Sequence, residues 1–279
     1  MSRKPIVAVT MGDPTGIGPE IILKALSDPA IKKICNPLVL GDWGVLQRAS
    51  AGKRGVPKLM CWDHGQPLLP LLQRRDGFAV CSLSSLSSKE SRPGFPVKAG
   101  GHAAYRYIYV AAKLALSNVA DAIATAPISK SILIDAGYNY PGHTELLADL
   151  SRTPECRMML IGKKLRVVLV TGHVAYGKVP RGLTRDGIRI TLELTHRGLR
   201  DFFGIARPRI AVAALNPHGG EEGIFGNEEK EIIAPAVKSA NKQTGMARAE
   251  SLAHARKAKS QALVTANLAK EQCVAKAPR

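Results

Sequence analysis

Aromatic residues are scarce in this sequence. They make up 5% of its 279 residues, with two tryptophans and five phenylalanines. No RNP-like aromatic pattern, zinc-finger spacing or recognition helix accompanies them, so the usual marks of a nucleic-acid reader are missing. Cysteine is sparse as well. The five present, Cys35, Cys61, Cys81, Cys156 and Cys273, are odd in number, scattered and never in a C-x-x-C pair. That usage argues against a disulfide framework or a thiolate metal site and predicts a reducing, cytoplasmic setting. Long apolar runs are also lacking. None approaches about 18 residues, and the short run after Pro5 ends at Gly12, too brief for an export signal. Neither secretion nor a membrane span is expected.

Acidic residues are outnumbered, 22 against 40 Lys and Arg, giving a formal net charge of +18. Such a balance suits nucleic acid, a membrane surface or an anionic substrate, so its distribution matters. From residue 238 onward nine basic residues face only two glutamates, and the body carries the rest. An anionic substrate in a basic cleft accounts for the body. A basic nucleic-acid-binding protein acting through the tail is the competing class. With 45% hydrophobic residues, the chain can bury a sizeable core as one large α/β unit or two lobes.

The pattern along the chain alternates strands and helices. Ile6 to Thr10 is a β-branched strand closed by a Gly-Asp-Pro turn, and Pro19 to Leu26 is helical with proline in the first turn. Leu38 to Gly41 and Trp43 to Ala49 repeat the unit. Residues 51 to 100 are rich in Gly, Pro and Ser and suggest surface connections, with a short strand at Phe78 to Cys81. The alternation resumes with a helix from His102 to Ser117, a strand from Ala122 to Ala126 and a helix from Ser129 to Ala136. Met158 to Ile161 and Val167 to Thr171 flank a Gly-Lys-Lys turn and predict a hairpin within an otherwise mostly parallel sheet. A helix from Thr184 to Phe203, a last strand from Ile210 to Leu215 and a helix beginning near Glu228 follow. After Val237 the sequence becomes an Ala/Lys/Arg mixture, which suits a basic helix or disorder.

Chemistry-bearing residues cluster where strands end. The loop from Met11 to Glu20 follows a strand and opens a helix, a context in which backbone N–H groups and the helix dipole can hold an anion. Asp13 in that loop is a candidate substrate contact. A tight structural turn closed by Thr15 explains the loop equally well. Lys130, after Thr125-Ala126-Pro127, is placed to meet phosphate or carboxylate, or only solvent. His143 and Thr144 open a helix and can share an oxygenated ligand. His173 and His218 each follow a strand beside a glycine or proline, where two imidazoles can coordinate a divalent ion. His64, His102, His196 and His254 lack comparable settings.

Taken together, Gly12-Asp13-Pro14 through Gly16-Ile17-Gly18-Pro19-Glu20, Thr125-Ala126-Pro127, Gly142-His143-Thr144-Glu145, and Asn216-Pro217-His218 with Gly226 and Glu228-Glu229 resemble the 4-hydroxythreonine-4-phosphate dehydrogenase family. That family belongs to vitamin B6 (pyridoxine and pyridoxal phosphate) biosynthesis and includes paralogues acting on four-carbon sugar-acid phosphates. The resemblance spans about Ile6 to Val237. It implies a two-lobed α/β/α fold like the isocitrate and isopropylmalate dehydrogenases. It also implies a cytoplasmic homodimer with active sites built from both subunits, and an oxidoreductase using NAD or NADP and a divalent ion (Zn, Mg or Co). The implied reaction oxidises 4-phosphohydroxy-L-threonine with decarboxylation, or acts on 4-phospho-D-threonate or D-erythronate 4-phosphate. By position His143 and Thr144 match the substrate-binding pair, and His173 and His218 match two of three metal ligands.

The expected organisation is a lobe over residues 1–127, a second over 128–237 that carries the histidines, and an atypical basic tail over 238–279. Members of the family continue with further strands, a His-Asp-Gln-Gly segment holding the third metal histidine, and Lys, Asn and Arg for the substrate. None of these is found after Val237, and His254 does not fit the motif. The fold is therefore expected to be incomplete at its C-terminal end, as a shifted reading frame or truncation would leave it, with reduced turnover.

Overall fold

The computed structural model describes residues 3–62, 67–74 and 76–242. His64, His254 and the basic tail beyond residue 242 lie outside the described residues. The chain divides after Pro154 into two compact units.

The first unit is built on five strands: β1 (Ile6–Thr10), β2 (Asn36–Asp42), β3 (Leu59–Cys61), β4 (Phe78–Ser84) and β5 (Ala122–Thr125). All pair in parallel, in the order β3-β4-β2-β1-β5. Their near-continuous apolar sequences suit a parallel sheet covered on both faces. Leu38, Val39, Leu40 and Val80 are fully buried, and burial of each such side chain contributes about 1.5–3 kcal/mol. Expected strands and helices fall where they were placed, with ends shifted by a few residues.

The helices follow from local chemistry. Helix α1 (Gly18–Leu26) starts with Pro19 in its first turn, and α2 (Pro29–Ile34) is capped by Asp28, whose carboxylate accepts from the Ala30 N–H at 2.8 Å. Asp42, the last residue of β2, caps α3 (Trp43–Ser50) through the Val45 N–H at 2.9 Å. Its other oxygen accepts from the Ser84 hydroxyl and the Leu86 N–H, both at 2.8 Å, so one buried carboxylate ties the ends of β2 and β4. After α4 (Leu68–Gln73), the 19-residue α5 (Lys98–Leu116) lies along the sheet and joins its core through Ala103, Tyr107, Ala111 and Ala115. Helices α6 (Lys130–Asp135) and α7 (His143–Leu150) pack on α5, which puts His143 in the first unit.

The second unit has a smaller core. Strands β6 (Met159–Ile161) and β7 (Arg166–Val168) form the expected hairpin, but as an antiparallel sheet of their own rather than as part of the parallel one. A short helix α8 (Val179–Gly182) precedes α9 (Arg185–Asp201), which Thr184 caps through the Gly187 N–H at 3.0 Å. Residues 228–242 are helical, beginning with a π-type stretch at Glu229–Ile233. Ile188 of α9 packs with Ile233 and Ala236, and Val212 and Leu215 lean on the same cluster. The strand expected from Ile210 to Leu215 is not formed. A strand is defined by a ladder, and among the described residues this segment has no strand beside it. The Leu215 N–H is bonded to the Glu229 carboxylate instead.

Candidate active site

The sheet's carboxyl edge is organised by its topology. From β1 the chain runs outward to β2 and the edge strand β3, steps back to β4 between them, and then crosses to lay β5 on the other side of β1. The loops leaving β1 and β5 therefore meet where the winding reverses, the position at which open α/β sheets take their ligands. Here the Asp13 N–H donates to the Pro127 carbonyl at 2.9 Å, and the Ala126 N–H to the Thr10 carbonyl at 3.0 Å. Gly12 sits at φ 70°, and a methyl group on its Cα would overlap the Pro127 carbonyl oxygen.

Asp13 and Lys130 have different surroundings. Asp13 is 8% exposed, and its Oδ1 accepts both the Thr15 N–H and hydroxyl at 2.8 Å. Its visible work is to close the turn, as the structural reading of this loop expects. Lys130 is exposed on the first turn of α6.

His143 and Thr144 are the first residues of α7, both half-buried, with Leu146 and Leu147 anchoring the helix in the core behind them. The approach to this helix is fixed by Tyr140, whose hydroxyl donates to Asp149 at 2.6 Å. That bond, together with partial burial, pushes the phenol up to about 12. The sequence does not reveal this tie, because nothing in the spacing says that the Tyr140 side chain reaches the far end of the helix.

His173 and His218 belong to the second unit and neither follows a strand directly. β7 ends at Val168, five residues before His173, and the segment before His218 has no ladder. His173 is exposed in the left-handed region at φ 56°, a conformation costly for a side chain with a Cβ and concentrated at functional sites. His218 is held more closely. Its N–H donates to the Asn216 side-chain oxygen at 2.9 Å, its Nδ1 lies 2.9 Å from Glu221 Oε1, and its ring leans on Phe225 with centroids 5.7 Å apart. Glu229 Oε1 accepts from the N–H groups of Leu215 and Asn216 at 3.0 and 2.9 Å. The Asn216 N–H foremost holds the Glu229 carboxyl below the usual carboxylate range. Glu229 belongs to the Glu228-Glu229 pair that carries the resemblance, but its bonds, like the Glu221 contact, depend on the loop's path, which the sequence does not state.

Two neutral imidazoles are a donor set suited to a divalent ion of zinc or cobalt type. His173 and His218 both lie on loops with exposed rings, and in that respect the residues fit. Among the described residues no group of three or more His, Cys, Asp and Glu side chains gathers as a metal cluster. The expected pair supplies at most part of a coordination shell.

A parallel sheet whose loops meet at its switch point, in a chain whose second unit carries loop histidines, is an architecture suited to an α/β protein of small-molecule chemistry. Comparison with known proteins narrows this class. A family model described as the pyridoxal phosphate biosynthetic protein PdxA matches residues 33–266, past Val237 where the motif resemblance stops. A 4-hydroxythreonine-4-phosphate dehydrogenase of Trichlorobacter lovleyi is 46% identical over 247 residues, covering 86% of this chain and 71% of that protein. A D-threonate 4-phosphate dehydrogenase of Cupriavidus necator is 40% identical, covering 84% and 69%. A crystal structure of 4-hydroxythreonine-4-phosphate dehydrogenase from Klebsiella pneumoniae matches with TM-score 0.75 and 38% identity, over 86% of this chain and 73% of that one. The chain belongs to the PdxA family. The fold is of the isocitrate dehydrogenase type that the motifs implied.

Proposed function

We propose that this chain is a nicotinamide-dependent, divalent-metal-assisted dehydrogenase that oxidises 4-phosphohydroxy-L-threonine, with loss of carbon dioxide from the β-keto acid formed. The observation that carries this reading is the 46% identity to a 4-hydroxythreonine-4-phosphate dehydrogenase across 86% of the chain. The basic balance of the chain suits a substrate bearing phosphate and carboxylate.

His143 and Thr144 bind the substrate at the first turn of α7, the imidazole and hydroxyl meeting its oxygens. The Tyr140–Asp149 bond holds the approach to that turn, so the pair presents a fixed geometry. Asp13 shapes the loop at the switch point, and Lys130 offers a cation to the phosphate. His173 and His218 are the metal-binding residues. NAD or NADP supplies a hydride acceptor when bound, and the ion supplies Lewis acidity that stabilises negative charge on the substrate oxygen. We further propose a cytoplasmic homodimer. Among the described residues no helix is long and apolar enough to cross a membrane.

A second reading, oxidation of 4-phospho-D-threonate, is favoured by the 40% identity to a D-threonate 4-phosphate dehydrogenase. Purified protein given NAD or NADP and Zn²⁺ or Co²⁺, with 4-phosphohydroxy-L-threonine, 4-phospho-D-threonate and D-erythronate 4-phosphate in turn, separates the two. The first reading expects the highest kcat/KM on 4-phosphohydroxy-L-threonine. A higher value on either sugar-acid phosphate selects the second.

A further inference from the structure

We propose that Tyr138 is a positioning residue for the pair His143 and Thr144: its ring, stacked on Tyr105 of α5, fixes the approach to α7 and so sets where that pair meets the substrate. The substrate half of this statement rests on the reading of His143 and Thr144 given above; the anchoring half does not.

Along α5, His102, Tyr105, Tyr109 and Lys113 recur at steps of three and four residues, so they share one stripe of the helix. Tyr138 joins that stripe from outside it. Its ring lies parallel to that of Tyr105, with centroids 3.7 Å apart and planes 5° apart, while His102 meets it edge-on at 5.6 Å and 86°. His102 Nδ1 is 3.3 Å from the Tyr138 hydroxyl. Tyr109 extends the stack from Tyr105 at 6.2 Å, with the Lys113 ammonium over its ring. Tyr105 and Tyr138 are both half-buried, and aromatic pairs in contact contribute beyond the area they bury.

The chain reaches this stack by a fixed route. Helix α6 lies so close to α5 that a methyl group on Gly101 would overlap the Ile132 carbonyl oxygen. Gly137 then turns left-handed at φ 91°, and the Tyr138 N–H donates to the Leu133 carbonyl at 3.0 Å, which closes the end of α6 with the ring on α5. His143 follows five residues later. No side chain among the described residues caps the start of α7, where Gly142 stands at the N-cap, so the first turn takes its direction from the approach. The Tyr140–Asp149 bond ties that approach to α7 itself. The Tyr138 stack ties it to α5, and through α5 to the sheet. A stack that served stability alone would explain the contact, but it would leave substrate affinity unchanged.

Calorimetric titration of the full chain with 4-phosphohydroxy-L-threonine reads the substrate half, with each variant's fold checked by circular dichroism. Tyr138→Leu and Tyr105→Leu should each weaken binding by about 10-fold, within the losses that misplaced contact groups cause. The double variant should bind no more weakly than either, because both changes remove one and the same stack. Tyr138→Phe keeps the ring and should bind as the unmodified chain does. Unchanged affinity in the two leucine variants, or losses that add in the double variant, overturns the proposal. Amide exchange reads the anchoring half. The Leu146 N–H donates to the Gly142 carbonyl at 3.3 Å in the first turn of α7, and it should exchange faster in Tyr138→Leu but not in Tyr138→Phe. Equal rates in all three proteins also overturn the proposal. No binding by the unmodified chain, or binding unaffected by His143→Ala and Thr144→Ala, refutes the substrate reading of the pair instead, while Leu146 exchange still decides whether Tyr138 holds the turn.

Discussion

Asp13 and Pro127 are joined by a 2.9 Å hydrogen bond from the amide of one to the carbonyl of the other, which clasps the loops leaving β1 and β5. The clasp works because Gly12 is left-handed and has no side chain. A Cβ there would overlap the Pro127 carbonyl, whereas at Gly55, left-handed at φ 74°, it would meet nothing within 4 Å.

The two glycines should therefore respond differently. Gly55→Ala carries only the conformational cost of a left-handed alanine, about 1 kcal/mol. Gly12→Ala adds the steric overlap and should cost at least about 2 kcal/mol more. Urea denaturation of the two variants measures the difference. Equal costs would mean that the loops after β1 and β5 are not clasped.

Tyr140→Phe removes the bond to Asp149 and should destabilise the protein by about 1 kcal/mol. An unfolded tyrosine titrates near 10, whereas in the folded chain this phenol is pushed up to about 12. Its contribution is therefore fully present below about pH 10 and lost as pH rises through the folded value. Stability followed across that window should fall more for the unmodified chain than for Tyr140→Phe. Parallel curves would remove the bond from the account.

Much of the first unit was legible because parallel strands buried on both faces announce themselves. Ile6 to Thr10, Leu38 to Gly41 and Ala122 to Ala126 are apolar runs followed by turns, and Asp42 caps the helix after the second of them. Strand β3 was missed because its three residues sit at a partly exposed edge, and α4 because Pro70 interrupts an unremarkable stretch. Ile210 to Leu215 has the composition of a strand, but strands need partners and local sequence does not state them. The same limit applies to the site. The histidines stood out by their glycine and proline neighbours, but the Glu221 contact depends on a left-handed turn and the Glu229 bonds on the path of the segment before His218, which residue identity alone does not encode.

Glu229 provides a pH signature for the segment it holds at Leu215 and Asn216. Its folded carboxyl titrates below the usual range, so its stabilising effect is complete above the unfolded value near 4.3 and lost as pH falls through the folded one. Amide exchange at Leu215 and Asn216 should thus lose protection on acidification below about pH 4.3. In Glu229→Gln the protection should no longer change across that interval. If acidification affects both proteins alike, Glu229 does not hold the loop.

The central claim is that this chain oxidises a phosphorylated hydroxy acid with His173 and His218 as metal-binding residues. The most direct measurement is formation of reduced nicotinamide by the purified protein with 4-phosphohydroxy-L-threonine, NAD and Zn²⁺, compared with His173→Ala and His218→Ala. The account predicts turnover that is abolished by chelation and reduced by about 100-fold or more in each variant. Turnover that survives chelation and both substitutions would contradict it.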